Sequence, residues 1–279
     1  MQDVARTALT TLQCHALDAQ RPEPILADGQ ATTTLYALVE WLGAGTMPQP
    51  PQASMVTHIA TRARAYDRVA RDFIGRHPTA TIVHIGGGFD HRFARIDNGR
   101  IRFLEIDLPD IIAWKRRLFP PTERYRLFPQ SVFDHSWMEA LPEGPVLLLA
   151  EGVFMYCTER EVRQLIEALI RRLPAFDLFC EVFQADWLQG WRKRMVDYKL
   201  QQELGFGTDA QFTFGLHRSE DMEAWAPGLR LVSDWSYFDA DHPALGPLRW
   251  FRHWPAFRYI QWSVYYHYER PGPKPAEDN

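Results

Sequence analysis

The chain predicts an α/β fold, a mostly parallel sheet with helices on both faces. Three observations predict it. Between residues 55 and 185, short apolar or β-branched runs alternate with amphipathic helical stretches. "PVLLLA", residues 145–150, is apolar throughout, as a central parallel strand covered on both faces must be. The run "TIVHI" ends in Gly86-Gly87-Gly88, a strand-to-helix hinge of the kind on which ligands sit in open α/β sheets.

The elements follow in order. Residues 1–54 are mixed and close with the Pro-rich break "TMPQPPQAS". A helix is expected from about Met55 to Ile74, because Ile59, Ala63, Tyr66, Ala70 and Phe73 recur at steps of four and three; four arginines (62, 64, 68, 71) lie off that line. "TIVHI" is the first strand and "IRFLEID" (101–107) the second. Pro109 opens a helix through Phe119, since proline is tolerated at a first helical position. After "PVLLLA", Thr158 with Glu161 forms a capping box for a helix carrying Val162, Leu165, Ile166, Leu169 and Ile170. "AFDLFCEVF" is the next strand. "LRLVSDWSYF" and "FRYIQWSVYYHY" read as a late antiparallel pair at the sheet edge, and seven of the ten tryptophans lie from Trp187 onward. Ser219 is expected to cap a helix after "FGLHR". The expected organisation is a single domain over 1–270, with a cap segment (1–54), a cofactor-binding core (55–185), a lid or acceptor region (186–238), C-terminal strands (239–270) and a disordered tail (271–279).

With 31 basic and 35 acidic residues, the net charge of −4 gives no basic stripe and no expectation of a nucleic-acid partner. Cys14, Cys157 and Cys180 are few and unpatterned, which fits a reducing cytosol and no disulfide framework. No signal-peptide core or spanning run is present, so neither a membrane partner nor export is expected. No Cys/His cluster has zinc-ligand spacing, and no metal is expected. The protein reads as cytoplasmic.

The glycine turn narrows the chemistry. Glycine lets backbone approach a ligand closely. Asp107 lies 21 residues after Gly86, near the spacing at which a second-strand acid grips a ribose. A dinucleotide fingerprint wants a third glycine at position 91, which is His91. Asp90, at the helix start where a pyrophosphate would sit, is unwelcome to phosphate but suits a cation. These features favour S-adenosylmethionine, which carries a sulfonium and an ammonium and no phosphate. Asp90 as a plain helix cap is the bland alternative.

"VHIGGGFDHRFARI", "FLEIDLPDIIAWKRRL", "SVFDHSWMEAL" and "GPVLLLAEGVFMYCTEREVRQLI", with "IATRARAYD" upstream, resemble in order the blocks of the leucine carboxyl methyltransferase family, which includes polyketide O-methyltransferases. The resemblance implies a class I, Rossmann-like methyltransferase fold: a doubly wound, mostly parallel seven-stranded sheet with an antiparallel edge strand, a helical N-terminus and inserted lid elements. It implies S-adenosyl-L-methionine as methyl donor. Arg62, with Arg64 as competitor, would reach the cofactor carboxylate through a bidentate guanidinium pair. Gly86 and Gly88 would line the methionine moiety, Asp107 would hold the ribose with Glu105 as the alternative, and Glu151 would face the ammonium. Family members often carry D-x-x-D where this chain has Ser131-Val132-Phe133-Asp134, so adenine recognition falls to Ser131 and Val132, or to Asp134.

Beside these stand bland readings: Arg92 and Arg95 as surface or acid-pairing residues, His84 as a core histidine. Tyr156, His217 and Tyr237 are the candidate catalytic residues. The implied activity is O-methylation of a carboxylate or hydroxyl on a small-molecule acceptor. A protein C-terminal carboxyl methyltransferase and a non-catalytic cofactor binder are the rivals.

Overall fold

The computed structural model describes residues 3–204 and 211–272; the tail expected to be disordered falls, from 273 on, outside the described residues. Its sheet has seven strands: β1 (Thr81–Ile85), β2 (Arg102–Asp107), β3 (Tyr125–Pro129), β4 (Val146–Ala150), β5 (Ala175–Phe183), β6 (Leu229–Ser236) and β7 (Gln261–Glu269). Their order is β3-β2-β1-β4-β5-β7-β6. Pairings from β3 to β5 are parallel. β7 runs antiparallel between β5 and β6, which places the antiparallel element at that edge. The chain order reverses between β1 and β4, so the crevice where connections diverge lies above the C-terminal ends of those strands.

The helices are α1 (Asp3–Ala19), α2 (Ala31–Leu42), α3 (Ala53–Arg76), α4 (Arg92–Ile96), α5 (Pro109–Leu118), α6 (Glu159–Arg172), α7 (Gly190–Leu204) and the single turn α8 (Pro255–Arg258). Period-two alternation sends the strand residues to two cores. Ile82, Phe103, Leu147, Leu149 and Phe179 face Tyr66, Ala70 and Phe73 of α3 and Ile112 of α5. Val83, Leu104, Leu148, Leu178 and Cys180 face Val162, Leu165, Ile166 and Leu169 of α6. β4 is buried at every residue, as its unbroken apolar run required.

Three local expectations need correction. β3, "YRLFP", is a strand not foreseen: it has five residues, two of them buried, and no flanking periodicity. α4 is shorter than a standard crossover helix, and Asp90 does not cap it. Its carboxylate is instead taken by Arg95, with Nη1 at 2.6 Å from Oδ1. After "FGLHR" the chain forms a 3-10 segment, Asp221–Trp225, without a side-chain cap. The Ser219 hydroxyl donates to Asp234 and accepts from Trp262 Nε1, and the Asp221 carboxylate takes the His217 and Arg218 amides.

Residues 3–52, expected as a mixed cap segment, carry α1 and α2, whose apolar faces (Leu9, Leu12, Ala16, Leu38) close over Phe89 and Ile111. This seats the cap directly on the glycine turn: a Cβ added to Gly88 would stand 2.9 Å from the Ala8 Cβ.

The capping box at Thr158 forms as read: the hydroxyl accepts from the Glu161 amide and Glu161 answers the Thr158 amide. Thr158→Ala should therefore lower stability by about 1 kcal/mol, measured as a urea midpoint shift, without changing affinity for S-adenosylhomocysteine.

Candidate active site

The turn after β1 bends through Gly86 (φ +63°) and Gly88 (φ +55°), left-handed values that other residues adopt with strain. Gly87 is required for another reason: a Cβ there would stand 2.4 Å from the His84 ring. His84 is the floor of the turn. Its Nε2 faces Arg92 Nη1 at 2.8 Å, and because arginine only donates, Nε2 must accept; Nδ1–H then donates to Glu105 at 3.2 Å. Burial and the Arg92 charge push the imidazolium down in pKa, which keeps the ring neutral in this role.

Arg92 is the hub. It is buried and spends Nε on Asp67 (2.8 Å), Nη1 on His84 and Nη2 on Glu151 (2.5 Å). Arg95 bridges Asp67, Asp28 and Asp90. Both arginines are acid-pairing, and neither is a surface residue. His15, Asp28 and Asp90 bring ligand atoms within 4.8 Å of one another, but Arg95 Nη1 already donates to the same Asp28 and Asp90 oxygens.

Glu151 ends β4 and accepts from Arg92 and from Arg62 Nε at 2.8 Å. Burial would raise its pKa, but Arg92 and Arg62 together outweigh burial and hold it at about 2. Arg62 spends Nη1 on Glu181 at 3.0 Å, and Glu181 is steadied by Gln261 Nε2 at 2.7 Å. Burial leaves Glu181 raised, Arg62 only partly opposing it. The remaining Nη2 of Arg62 lies 3.4 Å from where a Cβ on Gly152 would be, so it overlies the turn that follows Glu151. Arg64 is exposed on the far side of α3.

Asp107 ends β2 and reaches under the glycine turn. Oδ2 accepts from the Gly88 amide at 2.8 Å and Oδ1 from the Leu108 amide at 2.7 Å. A carboxylate has about four acceptor positions, so each oxygen keeps one for a further donor. Burial raises its pKa against those two amides. Glu105 is otherwise engaged: it accepts from Lys115, Tyr125 and His84 in the sheet interior, and Lys115 is the partner that holds its pKa down against burial. It supports β2 and β3 from below.

Ser131 is exposed and accepts from the Phe133 amide. Val132 is buried and its carbonyl accepts from Trp137 Nε1. Asp134 caps the 3-10 segment His135–Ala140. The three catalytic candidates sit apart in character. Tyr156 is half-buried against the Phe212 ring (5.0 Å), near Met155, Phe183 and Trp187. Tyr237 meets His58 (4.7 Å). His217 is exposed, its Nδ1 3.2 Å from Asp186.

Sequence reading missed Asp67, Glu181 and Gln261. Glu181 carried the same signal as Glu105 and Glu151, an acid inside an apolar strand run. Asp67 sits beside Tyr66 on the buried stripe of α3, where an acid needs a partner.

Asp107→Ala should weaken S-adenosylhomocysteine binding about tenfold to a hundredfold, for a hydrogen-bonding carboxylate worth ~1.5–3 kcal/mol, with little change in melting. Glu105→Ala should do the reverse, leaving Lys115 uncompensated at about 3–5 kcal/mol of stability. Calorimetric titration and thermal melts of both variants check this; a worse affinity loss in Glu105→Ala overturns it. Arg62→Lys should restore only part of what Arg62→Ala loses, since one ammonium cannot span Glu151 and Glu181 and still present a donor above Gly152. Wild-type affinity in the lysine variant would refute that.

With this geometry in view, comparison with known proteins gives a consistent answer. The tetracenomycin polyketide synthesis O-methyltransferase TcmP of Streptomyces glaucescens is 30% identical over 239 residues, 85% of this chain and 84% of that protein. An S-adenosyl-L-methionine-dependent methyltransferase, dpfgK, of Gibberella zeae is 28% identical, covering 88% of this chain and 85% of its own. A DUF574 family protein from Streptomyces avermitilis superposes with TM-score 0.58 at 12% identity, over 96% of this chain and all of that one, a likeness of fold. Residues 8–170 match the leucine carboxyl methyltransferase family. The chain belongs to that family, and its sheet is the class I methyltransferase sheet.

Proposed function

We propose that this protein is an S-adenosylmethionine-dependent O-methyltransferase acting on a carboxylate or acidic hydroxyl of a small molecule of polyketide type. The observation that carries the reading is the acid-rich network around the glycine turn. Among the described residues, Asp28, Asp67, Asp90, Glu105, Glu151 and Glu181 face five permanent cations, Arg62, Arg92, Arg95, Lys115 and the half-exposed Arg71. An excess of buried carboxylate suits a ligand whose reacting centre is cationic. The 30% identity to a polyketide O-methyltransferase supports the acceptor class.

The donor set fits the cofactor. Asp107 has acceptor positions left for ribose hydroxyls, Arg62 Nη2 is a donor for the methionine carboxylate, and Glu151 is an ionised partner for the ammonium. Gly86 and Gly88 supply the close turn, and Ser131 and Val132, just after β3, are the residues offered to the adenine. When bound, the cofactor supplies a methyl group on a sulfonium, already activated for in-line displacement. The chain's own task is then alignment and exclusion of water.

The acceptor half is assigned to Tyr156, Trp187 and Phe212, rings gathered at the C-terminal ends of β4 and β5. Of the other C-terminal rings, Phe214 is core and Trp191 is exposed. Burial pushes the Tyr156 phenol up, so it is a donor near neutral pH and no base. Tyr237 is raised likewise. With both tyrosines held protonated and His217 exposed on Asp186, outside the Tyr156 ring cluster, an acceptor that arrives ionised is favoured, a carboxylate or an acidic phenol.

Tritiated methyl transfer from S-adenosylmethionine into a metabolite extract and into whole-cell protein tests this. Label is expected in the organic-soluble fraction; alkali-labile label marks an ester and stable label an ether. Label confined to protein would establish a peptide carboxyl acceptor. Binding of S-adenosylhomocysteine with no label in either fraction would make the protein a non-catalytic binder.

A further inference from the structure

Two segments at the ligand end of the sheet expose large apolar side chains. α7 follows the C-terminal end of β5, and residues 243–258 lead into β7, whose first residue pairs with the last of β5 (Gln261 with Phe183). Both therefore stand at the same end of the molecule as the glycine turn. On α7, Trp191 (66% exposed), Met195 and Tyr198 recur at steps of four and three, which makes one outward face. The opposite side is anchored by Val196, packed among Met155, Phe183 and Phe212 with Ile260 beside it. In the second segment Leu248 and Trp250 (77% exposed) project from a proline- and glycine-broken 3-10 stretch, and exposed Trp254 caps its C-terminal end. Patches of this kind on a soluble chain mark a partner.

Charge selects the partner. The chain carries −4 overall, yet from His242 to Tyr268 it has no Asp or Glu. Arg249 and Arg258 there are neutralised by Asp241, Asp234 and Asp239. Arg252 is exposed, as are Arg192 and Arg194 on α7, and none of the three has an acid partner among the described residues. Arg192 lies over both Trp187 and Trp191, at 5.8 and 5.7 Å. Tryptophan interleaved with unpaired arginine suits the headgroup layer of a bilayer, where the ring sits at the apolar boundary and the guanidinium meets phosphate. We propose that α7 and residues 243–258 dock the protein peripherally on an anionic phospholipid bilayer, with the ligand end of the sheet toward the lipid. The expectation of no membrane partner rested on the want of a spanning run, and no helix among the described residues is long and apolar enough to cross a bilayer; peripheral docking needs none. The proposal does not depend on the identity of the acceptor.

The test is flotation of the full chain with phosphatidylcholine–phosphatidylglycerol vesicles and with phosphatidylcholine vesicles alone, beside size-exclusion chromatography with light scattering. Wild type should float with the anionic vesicles, less as salt rises, and stay behind with the neutral ones. Trp250→Ser/Trp254→Ser should abolish flotation, and Arg192→Ser and Arg252→Ser should each weaken it about fivefold, all with unchanged S-adenosylhomocysteine affinity. No flotation of wild type, flotation unaffected by these variants, or equal binding to neutral vesicles would overturn the proposal. So would a wild-type dimer that Trp250→Ser/Trp254→Ser converts to monomer, since the face would then belong to a second copy.

Discussion

The guanidinium of Arg92 is the constraint on which the candidate site depends. It is buried, it is charged, and it has no water to fall back on, so every nitrogen must find an acceptor inside the protein. The acceptors come from three separated stretches of chain: Asp67 on α3, His84 on β1 and Glu151 at the end of β4. Bringing them within 2.5 to 2.8 Å of one side chain fixes α3, the glycine turn and the β4 terminus relative to one another. Breaking a pair of this kind leaves a buried charge uncompensated, at about 3–5 kcal/mol. The arrangement trades stability against a single geometry, and the geometry is where a ligand must be held.

The same network has a shape that its own ion pairs leave incomplete. Carboxylates exceed permanent cations, and Glu181 is left raised by burial because Arg62 is shared with Glu151. A ligand bearing an ammonium and a sulfonium relieves that imbalance, so binding draws on electrostatic strain that folding has already accepted. Arg62 illustrates the economy of the design. Its Nε and Nη1 hold the acids in place while Nη2 stays over Gly152. The side chain that would meet the cofactor carboxylate is thereby pre-aimed by two others, which reduces the rotamer entropy lost on binding.

Much of this was legible in the sequence, because the signals were local. β1, α5, β4, α6 and β5 were marked by β-branched runs, a proline start, an unbroken apolar stretch and a capping box. Asp107 was singled out by its distance from Gly86, and the structure puts its carboxylate on the Gly88 amide. What escaped was non-local. β3 is held by its register with β2, and five residues with two buried do not carry a period. The cap helices α1 and α2 are amphipathic only with respect to Phe89 and Ile111, which come far later in the chain. Asp67, Asp28 and Glu181 are ordinary acids until Arg95, Arg92 and Arg62 are brought beside them, and no spacing in the chain announces that. His84 was read as a core histidine, yet its ring also sets why Gly87 has to be glycine, a relation only coordinates reveal.

The chemistry of the acceptor follows from where the protein has and has not invested polar groups. On the cofactor side the chain supplies paired, ionised, hydrogen-bonded groups. On the proposed acceptor side, at the ends of β4 and β5, it supplies Tyr156, Phe212, Met155 and Phe183, and the one phenol among them is held protonated by burial. Such a wall can exclude water and orient a flat apolar body, and its phenol can donate one hydrogen bond to an oxygen. It is poorly suited to accept a proton from an unactivated alcohol. Under the proposed function a nucleophile entering here brings its negative charge with it, and desolvating that charge next to a bound sulfonium would raise both its reactivity and its attraction to the methyl donor. On that proposal the division of labour is physical: the charged half of the site would hold one reactant still, and the apolar half would strip water from the other.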